Sequence, residues 1–177
     1  MQSVFSPDQS FALKPQEDLF IKMVLDAWHT QVKHADDLFN SLPDDQLFRE
    51  IAPGRNRGVY LLGHLTAVHD RMLPILGFGD QRYPHLYKTF VESPDRAEAN
   101  LPSIEDLRNY WKETNNFLSE HFSKLSAEEW FQKHNAVSEV DFAKEPHRNK
   151  LNIIINRTNH LANHLGQLLL LKSREQH

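Results

Sequence analysis

The feature that most constrains the fold of this chain is a set of long segments in which apolar residues recur at helical spacing. Three such segments run from Leu19 to Phe39, from Val59 to Ile75 and from Leu107 to Phe122. A fourth, from Leu151 to Leu171, is apolar almost all the way round, which is typical of a buried helix. No segment alternates convincingly between apolar and polar residues, as a half-buried strand would. The sequence therefore predicts an all-α protein.

Proline and glycine residues mark the ends of the first two helices. The first can begin at Pro15, because proline is tolerated in the first turn, and it should end before Pro43. The second should close at Pro74 and Gly77. Residues 1–14 show no period, so we expect them to form an extended N-terminal arm.

Caps and irregular segments separate the other two helices. Ser103 and Asp106 approximate a capping box at the start of the third helix, and a second box at Ser126 opens a short turn. Residues 132–148 show no regular period and are predicted to be an irregular connection. Pro146 could start the fourth helix.

Four amphipathic helices in 177 residues favour one domain, residues 1–177, folded as a four-helix bundle. Residues 80–102 contain three prolines and show weak periodicity. We expect them to form a long crossover connection between helices two and three, which would shape a binding pocket. Bundles of this kind build metal sites in their core from side chains on facing helices.

The fourth helix carries two histidines, His160 and His164, at a spacing of one helical turn. Two imidazoles so placed can hold one metal ion, although a chain with 11 histidines contains about one such pair by chance. Catalytic zinc-like sites commonly use three protein ligands, and His64, inside the second helix, is the best candidate for the third. His69, five residues further on, turns away from that face.

Two motifs together resemble a known family. The sequence Leu-Leu-Gly-His-Leu occupies 61–65 on the second helix, and His-Leu-Ala-Asn-His-Leu-Gly-Gln occupies 160–167 on the fourth. This combination resembles the DinB-like superfamily, including its YfiT-like branch, over about 17–172. The resemblance implies a four-helix bundle with a three-histidine site for a divalent metal, open on one side to water or substrate.

The resemblance also implies ligands and a class of reaction. The three ligands of the family fall on His64, His160 and His164. Zinc, nickel, iron and copper all suit three imidazoles. Relatives include thiol-dependent S-transferases and isomerases in which the metal activates a low-molecular-weight thiol such as bacillithiol or glutathione. The expected function is therefore a metal- and thiol-dependent transferase. A metal-dependent hydrolase and a non-enzymatic, stress-related binding or structural bundle are the alternatives, and no catalytic residue is assigned.

Three polar residues lie on or near the helix face that carries the histidine pair. Asn156 is one turn before His160, Arg157 is close to that face, and Gln167 follows His164. An amide or guanidinium beside a metal could bind an acidic thiol or orient water, so these three are candidate substrate-binding residues. Structural hydrogen bonding in the core is an equal alternative for Asn156 and Gln167.

Composition limits the partners. The net charge is -4, the pI is about 6.2, and lysines and arginines are scattered, which argues against a nucleic-acid surface. The chain has no cysteine, so any thiol in the reaction must come from outside the protein. No signal peptide or transmembrane stretch is evident, which favours a cytoplasmic protein without a membrane partner. We expect a small-molecule substrate.

The tryptophans and the remaining histidines have simpler interpretations. Trp28, Trp111 and Trp130 are expected to pack in the core. Helix faces around Trp28 and Trp111 could instead pair two copies of the chain, so a homodimer is a further expectation. A solvated position is predicted for the histidines with polar neighbours, which are His29, His34, His121, His134 and His177.

Overall fold

The computed structural model describes residues 10–175 and the side chains of residues 16–172, and within these limits the chain is helical. Glu50 pairs with Arg57 and Lys133 with Asn149 in isolated β-bridges, but residues 10–175 contain no strand. The helices in chain order are α1 (Ser10–Ser41), α2 (Asp44–Leu47), α3 (Gly58–Asp70), α4 (Met72–Leu76), α5 (His85–Tyr87), a π-helix (Lys88–Glu92), α6 (Ile104–Phe122), α7 (Ala127–Phe131), α8 (Glu139–Lys144), α9 (Lys150–Leu168) and a 3₁₀-helix (Leu169–Glu175).

The long helices α1, α3, α6 and α9 form the bundle. Helix α1 packs along α9, and α3 packs along α6. Contacts of α3 with α9 and of α1 with α6 complete the arrangement. The short α5 and the π-helix lie against α3, and α7 lies against α1 and α9. The prediction of an all-α helical bundle is confirmed. In the part of the chain described here, no helix combines the length and apolar character needed to cross a bilayer.

The core explains why these segments are helical. Almost every residue of α3 is buried, because this helix contacts α6, α9 and the crossover segment. Trp28, Trp111 and Trp130 are at most 2% exposed, so their prediction as core residues is confirmed. The faces around Trp28 and Trp111 are therefore internal to the bundle, and the expectation of a homodimer stays a prediction. The exposed large apolar side chains of α1 are instead Leu19, Phe20 and Met23.

Two helix starts differ from the predictions. Helix α1 begins at Ser10 and continues through Pro15, so residues 10–14 are helical, while residues 1–9 of the expected arm lie outside the described part. Helix α9 begins at Lys150 instead of Pro146. Its start is fixed by the side chain of Asn149, which accepts a hydrogen bond from the backbone N–H of Asn152 at 3.0 Å.

The connection at 132–148 is more ordered than predicted. It contains α8, whose first turn is capped by Ser138 Oγ, an acceptor for the backbone N–H of Asp141 at 3.1 Å. The serine three residues before an aspartate was the sequence signal for this helix. His134 is only 8% exposed, so its predicted solvated position is wrong. The adjacent Asn135 donates its backbone N–H to the Ile75 carbonyl at 2.8 Å, which holds this segment against α4.

The crossover at 80–102 is anchored to both ends of α3. At the C-terminal end, the buried carboxylate of Asp70 accepts the backbone N–H groups of Arg82 and Tyr83 at 2.9 and 3.0 Å. At the N-terminal end, Arg57 donates its backbone N–H to Asp95 at 2.8 Å and its guanidinium to the same carboxylate at 2.6 Å. Because both ends are fixed, α5 and the π-helix lie against α3.

Candidate metal centre

His64 lies in the middle of α3, next to a glycine that lets the crossover approach closely. A Cβ atom at Gly63 would lie 2.4 Å from a ring carbon of Phe90, so any side chain there would clash with the phenylalanine. Phe90 is fully buried in the π-helix. The glycine therefore lets the Phe90 ring pack on α3, which brings the Phe90 backbone beside His64.

The Phe90 carbonyl fixes the protonation of His64. In an α-helix the Phe90 carbonyl would accept the N–H of residue 94, but Pro94 has no N–H, and the π-helix that contains Phe90 ends at Glu92. The Phe90 oxygen lies 2.8 Å from His64 Nδ1 instead. Because a carbonyl can only accept, Nδ1 carries the proton and Nε2 keeps its lone pair. The irregular π-helix thus presents an acceptor to His64.

Tyr60, one turn before His64, strengthens the same junction. Its ring is nearly parallel to the imidazole, at 13° and a centroid separation of 6.4 Å. Its hydroxyl donates to the Ser93 carbonyl at 2.7 Å. Burial raises the pKa of Tyr60, with a further contribution from the charge of Asp95, so the hydroxyl stays protonated and donates. His64 is therefore held by α3 and by the crossover together.

The two histidines of α9 project toward His64. The His160 Nε2 atom lies 3.2 Å from His64 Nε2 and 3.1 Å from His164 Nε2. These three residues form the cluster of potential metal ligands in the described part of the chain, and all three are half-buried. The structure therefore brings together the three histidines that were predicted from sequence, from two helices that pack against each other.

Gln167 fixes which ring nitrogen of His164 carries the proton, as the Phe90 carbonyl does for His64. The Gln167 Oε1 atom lies 3.1 Å from His164 Nδ1, and Gln167 Nε2 donates to Asn163 Oδ1 at 2.9 Å. The bond to Asn163 orients the amide so that its oxygen faces the imidazole. His164 Nδ1 is then the protonated nitrogen, and Nε2 keeps its lone pair. A hydrogen bond on the outer nitrogen is the usual support of a metal-binding histidine.

The donor set fits a divalent metal ion. The Nε2 atoms of His64 and His164 each keep a lone pair, because the ring proton is held on Nδ1. A single proton on His160 Nε2 could satisfy only one of these two lone pairs. Tetrahedral coordination with metal–nitrogen distances near 2.05 Å places two ligand nitrogens about 3.3 Å apart, close to the separations here. The outer nitrogen of His160, Nδ1, is buried and has no partner among the described residues.

Burial and neighbouring groups keep the three imidazoles neutral. Burial, together with the neighbouring His164 and His64, lowers the pKa of His160 to about 4. Burial also lowers the pKa of His64 and that of His164, although the hydrogen bonds to Phe90 and Gln167 act in the opposite direction. Neutral imidazole is the form that coordinates a metal. The cluster is therefore ready to bind a cation near neutral pH without first losing protons.

The structure places the three candidate substrate-binding residues differently. Asn156 is exposed on α9. Gln167 is engaged by His164 and Asn163, as the alternative of structural hydrogen bonding allowed. Arg157 is half-buried, and its Nε atom is buried without a hydrogen-bond partner. Only Arg157 thus combines burial with unused hydrogen-bonding capacity.

The contributions of Phe90 and Tyr60 were not predicted from the sequence. The usable signals were Gly63 beside the histidine and Pro94 four residues after Phe90, but neither indicates which carbonyl His64 would meet. That contact joins residues 26 positions apart and depends on the path of the crossover.

The chain matches a family model described as the DinB superfamily over residues 27–168, a range that contains all three clustered histidines. No curated protein matches the chain.

Proposed function

The chain belongs to the DinB superfamily, and from that premise we propose that it is a metal-dependent transferase that activates a low-molecular-weight thiol at His64, His160 and His164. The thiol would be of the bacillithiol or glutathione type, and the metal zinc, nickel or iron. The family match supports a metal-binding bundle, and the resemblance to thiol-dependent members supports the reaction class.

The observation that carries this proposal is the convergence of three imidazole Nε2 atoms at separations of 3.1 and 3.2 Å. Three neutral nitrogen ligands leave coordination positions for a small molecule, as catalytic sites require. When bound, a divalent ion lowers the pKa of a thiol or water that coordinates to it, so that the nucleophile is an anion near neutral pH.

The residues of the chain would hold and orient this site. The Phe90 carbonyl and the Gln167 amide keep the protons of His64 and His164 on Nδ1, so that Nε2 faces the centre. Arg157 and Asn156 remain proposed contacts for the substrate, whereas Gln167 would act by positioning His164. The chain has no cysteine, so the attacking sulfur would come from a free thiol.

In the proposed reaction, the thiolate sulfur forms a bond to an electrophilic carbon of the second substrate. The leaving group departs with the electron pair of the broken bond, and the thiol proton passes to solvent. A chlorodinitrobenzene is a suitable probe, because replacing chloride by sulfur gives a dinitrophenyl thioether that absorbs in the near ultraviolet.

Thiol dependence is the experiment that tests this proposal against the hydrolase alternative. Metal-loaded protein should turn over the probe only when glutathione or a similar thiol is added, and His160→Ala should abolish the enzymatic rate. His34→Ala, which changes an exposed histidine of α1, is the matched control and should retain it. Metal-dependent release of product without thiol would favour hydrolysis by water. No turnover with any thiol or ester by metal-loaded protein would favour a non-enzymatic bundle.

A further inference from the structure

Arg157 is a half-buried cation without a counter-ion. It lies on α9 three residues before His160, so its side chain starts from the face of the helix that carries the clustered histidines. Its Nε atom is buried and has no hydrogen-bond partner, and no ion pair joins it to any residue whose side chain the structure describes. Its positive charge contributes to the lowered pKa of His64 and of His160, which indicates that the guanidinium is close to them.

The other half-buried arginines of the described region all have carboxylate partners. Arg57 pairs with Asp95, Arg108 with Asp44, and Arg148 with Glu145. Arg108 also donates to two backbone carbonyls. A guanidinium removed from water without such partners is costly, and burial accordingly lowers the pKa of Arg157.

The residues that form the histidine cluster also provide no negative charge to balance Arg157. The three clustered ligands are neutral imidazoles, and no carboxylate belongs to the cluster among the described residues. A divalent ion there would keep its full charge, and Arg157 would add another positive charge beside it. A site with this excess favours a ligand that brings negative charge of its own.

We propose that Arg157 is the anion-binding group of this site, and that the molecule bound beside the histidines carries an oxyanion, a carboxylate or a phosphate, which the guanidinium holds. The planar fork of arginine matches such groups with two parallel hydrogen bonds. The inference rests on the proposed function, because it takes the three histidines as the metal site. It defines the substrate class as anionic and leaves the thiol requirement to a separate test.

The experiment is a calorimetric titration of metal-loaded protein with small probes that separate the two chemistries. Propionate and inorganic phosphate carry an oxyanion and no thiol, and 2-mercaptoethanol carries a thiol and no charge. The variants are Arg157→Gln, which removes the charge, and Arg157→Lys, which keeps the charge without the fork. Arg55→Gln removes the same charge from an exposed position and is the matched control. Metal content by mass spectrometry is measured for each protein.

We expect Arg157→Gln to bind the preferred oxyanion about tenfold or more weakly than the wild type, the loss that follows from removing a charged hydrogen bond. The oxyanion affinity of Arg157→Lys should lie between those two values, and that of Arg55→Gln should equal the wild-type affinity. The metal content should not change in any variant. Preference between propionate and phosphate identifies the oxyanion.

The inference is overturned if Arg157→Gln binds both oxyanions as tightly as the wild type, or if neither binds the wild-type protein. Failure of 2-mercaptoethanol to bind, with oxyanion binding still dependent on Arg157, would contradict the thiol function alone. Should Arg157→Gln fail to fold, Arg157→Lys decides, because full oxyanion affinity in that variant would show that the guanidinium is not the group that holds the oxyanion.

Discussion

His64 and His69 lie five residues apart on α3; His64 is half-buried and His69 fully buried, and their surroundings differ. His64 Nε2 meets the nitrogen of another histidine at 3.2 Å, with its outer nitrogen held by the Phe90 carbonyl. His69 is packed between the rings of Trp28 and Trp111, with both centroids 4.7 Å away, and its Nδ1 is 2.8 Å from Asn115 Oδ1.

The difference shows what distinguishes a candidate binding site from a packed core. Around His64, three imidazole Nε2 atoms converge, and the one proton that His160 could donate satisfies only one of the other two nitrogens, which favours a bound cation. Around His69, aromatic rings fill the space, one amide oxygen accepts the Nδ1 proton, and the buried Nε2 has no hydrogen-bond partner among the described residues, so this single imidazole acts as a packing group. Burial alone is therefore uninformative, and the chemistry of the neighbours decides the role.

Removing the His69 side chain should have the largest effect on stability and would sharpen this comparison most. His69→Ala should lower the free energy of unfolding by about 3 kcal/mol, because it leaves a cavity between two tryptophans. Metal content should be unchanged. Chemical denaturation and metal analysis measure the two quantities, with His64→Ala as the counterpart that should lose metal. A His69→Ala protein of normal stability that loses its metal would break the distinction.

A second substitution tests the junction between α3 and the crossover. Gly63→Ala should cost about 2 kcal/mol of stability, because its methyl group overlaps the Phe90 ring and forces the crossover outward. It should also weaken metal binding, since the Phe90 carbonyl moves with the ring. Gly166→Ala is the control, because a Cβ there meets no atom within 4 Å. It should be neutral or stabilise α9 by up to about 1 kcal/mol. Equal stability of the two variants would show that the contact with Phe90 is unimportant.

The pH dependence of stability should contain a contribution from His69 that a substitution can isolate. Burial lowers the pKa of His69 from 6.5 to about 3. Below pH 6.5 the unfolded chain therefore binds a proton that the native state does not. The free energy of unfolding of metal-free protein should fall as the pH drops from 6.5 toward 3, with His69 contributing up to about 1.4 kcal/mol per pH unit. His69→Phe should reduce this slope in denaturation curves measured between pH 6.5 and 4, whereas His34→Ala should not. An unchanged slope in His69→Phe would mean that His69 protonates normally.

The smallest effect concerns the positioning of His164. Gln167→Ala should weaken metal binding by about tenfold, as expected for the loss of an outer hydrogen bond to a ligand, with little change in stability. A competition titration against a metal chelator measures this, with Asn159→Ala, at an exposed position of the same helix, as the control. Undiminished affinity in Gln167→Ala would show that the contact at 3.1 Å does not support the ligand.

Much of the bundle could be predicted from local sequence because its helices are amphipathic and capped. Ser103 accepts the Asp106 N–H at 3.0 Å, and Ser126 and Glu129 form a full capping box, as their spacing predicted. The π-helix could not be predicted in this way. It depends on the packing of Phe90 against Gly63 and on the hydrogen bonds that fix the crossover at Asp70 and Asp95.

For the candidate site, the spacing of His160 and His164 predicted their adjacency on one helix face, and the family resemblance indicated His64 as their partner. The sequence could not show that Arg157 lacks a counter-ion, since this depends on where every carboxylate of the chain lies in three dimensions. His134 was misjudged for a similar reason. Its polar neighbours in sequence suggested solvent, but the contacts of Asn135 with α4 bury it.

The most direct test of the central claim is the metal content of protein purified without an affinity tag or added metal, measured by mass spectrometry for the wild type, His160→Ala and His34→Ala. The account predicts close to one divalent ion per chain in the wild type and in His34→Ala, and loss of that ion in His160→Ala. Folded wild-type protein that contains no metal, and takes up none when offered zinc or nickel, would contradict it.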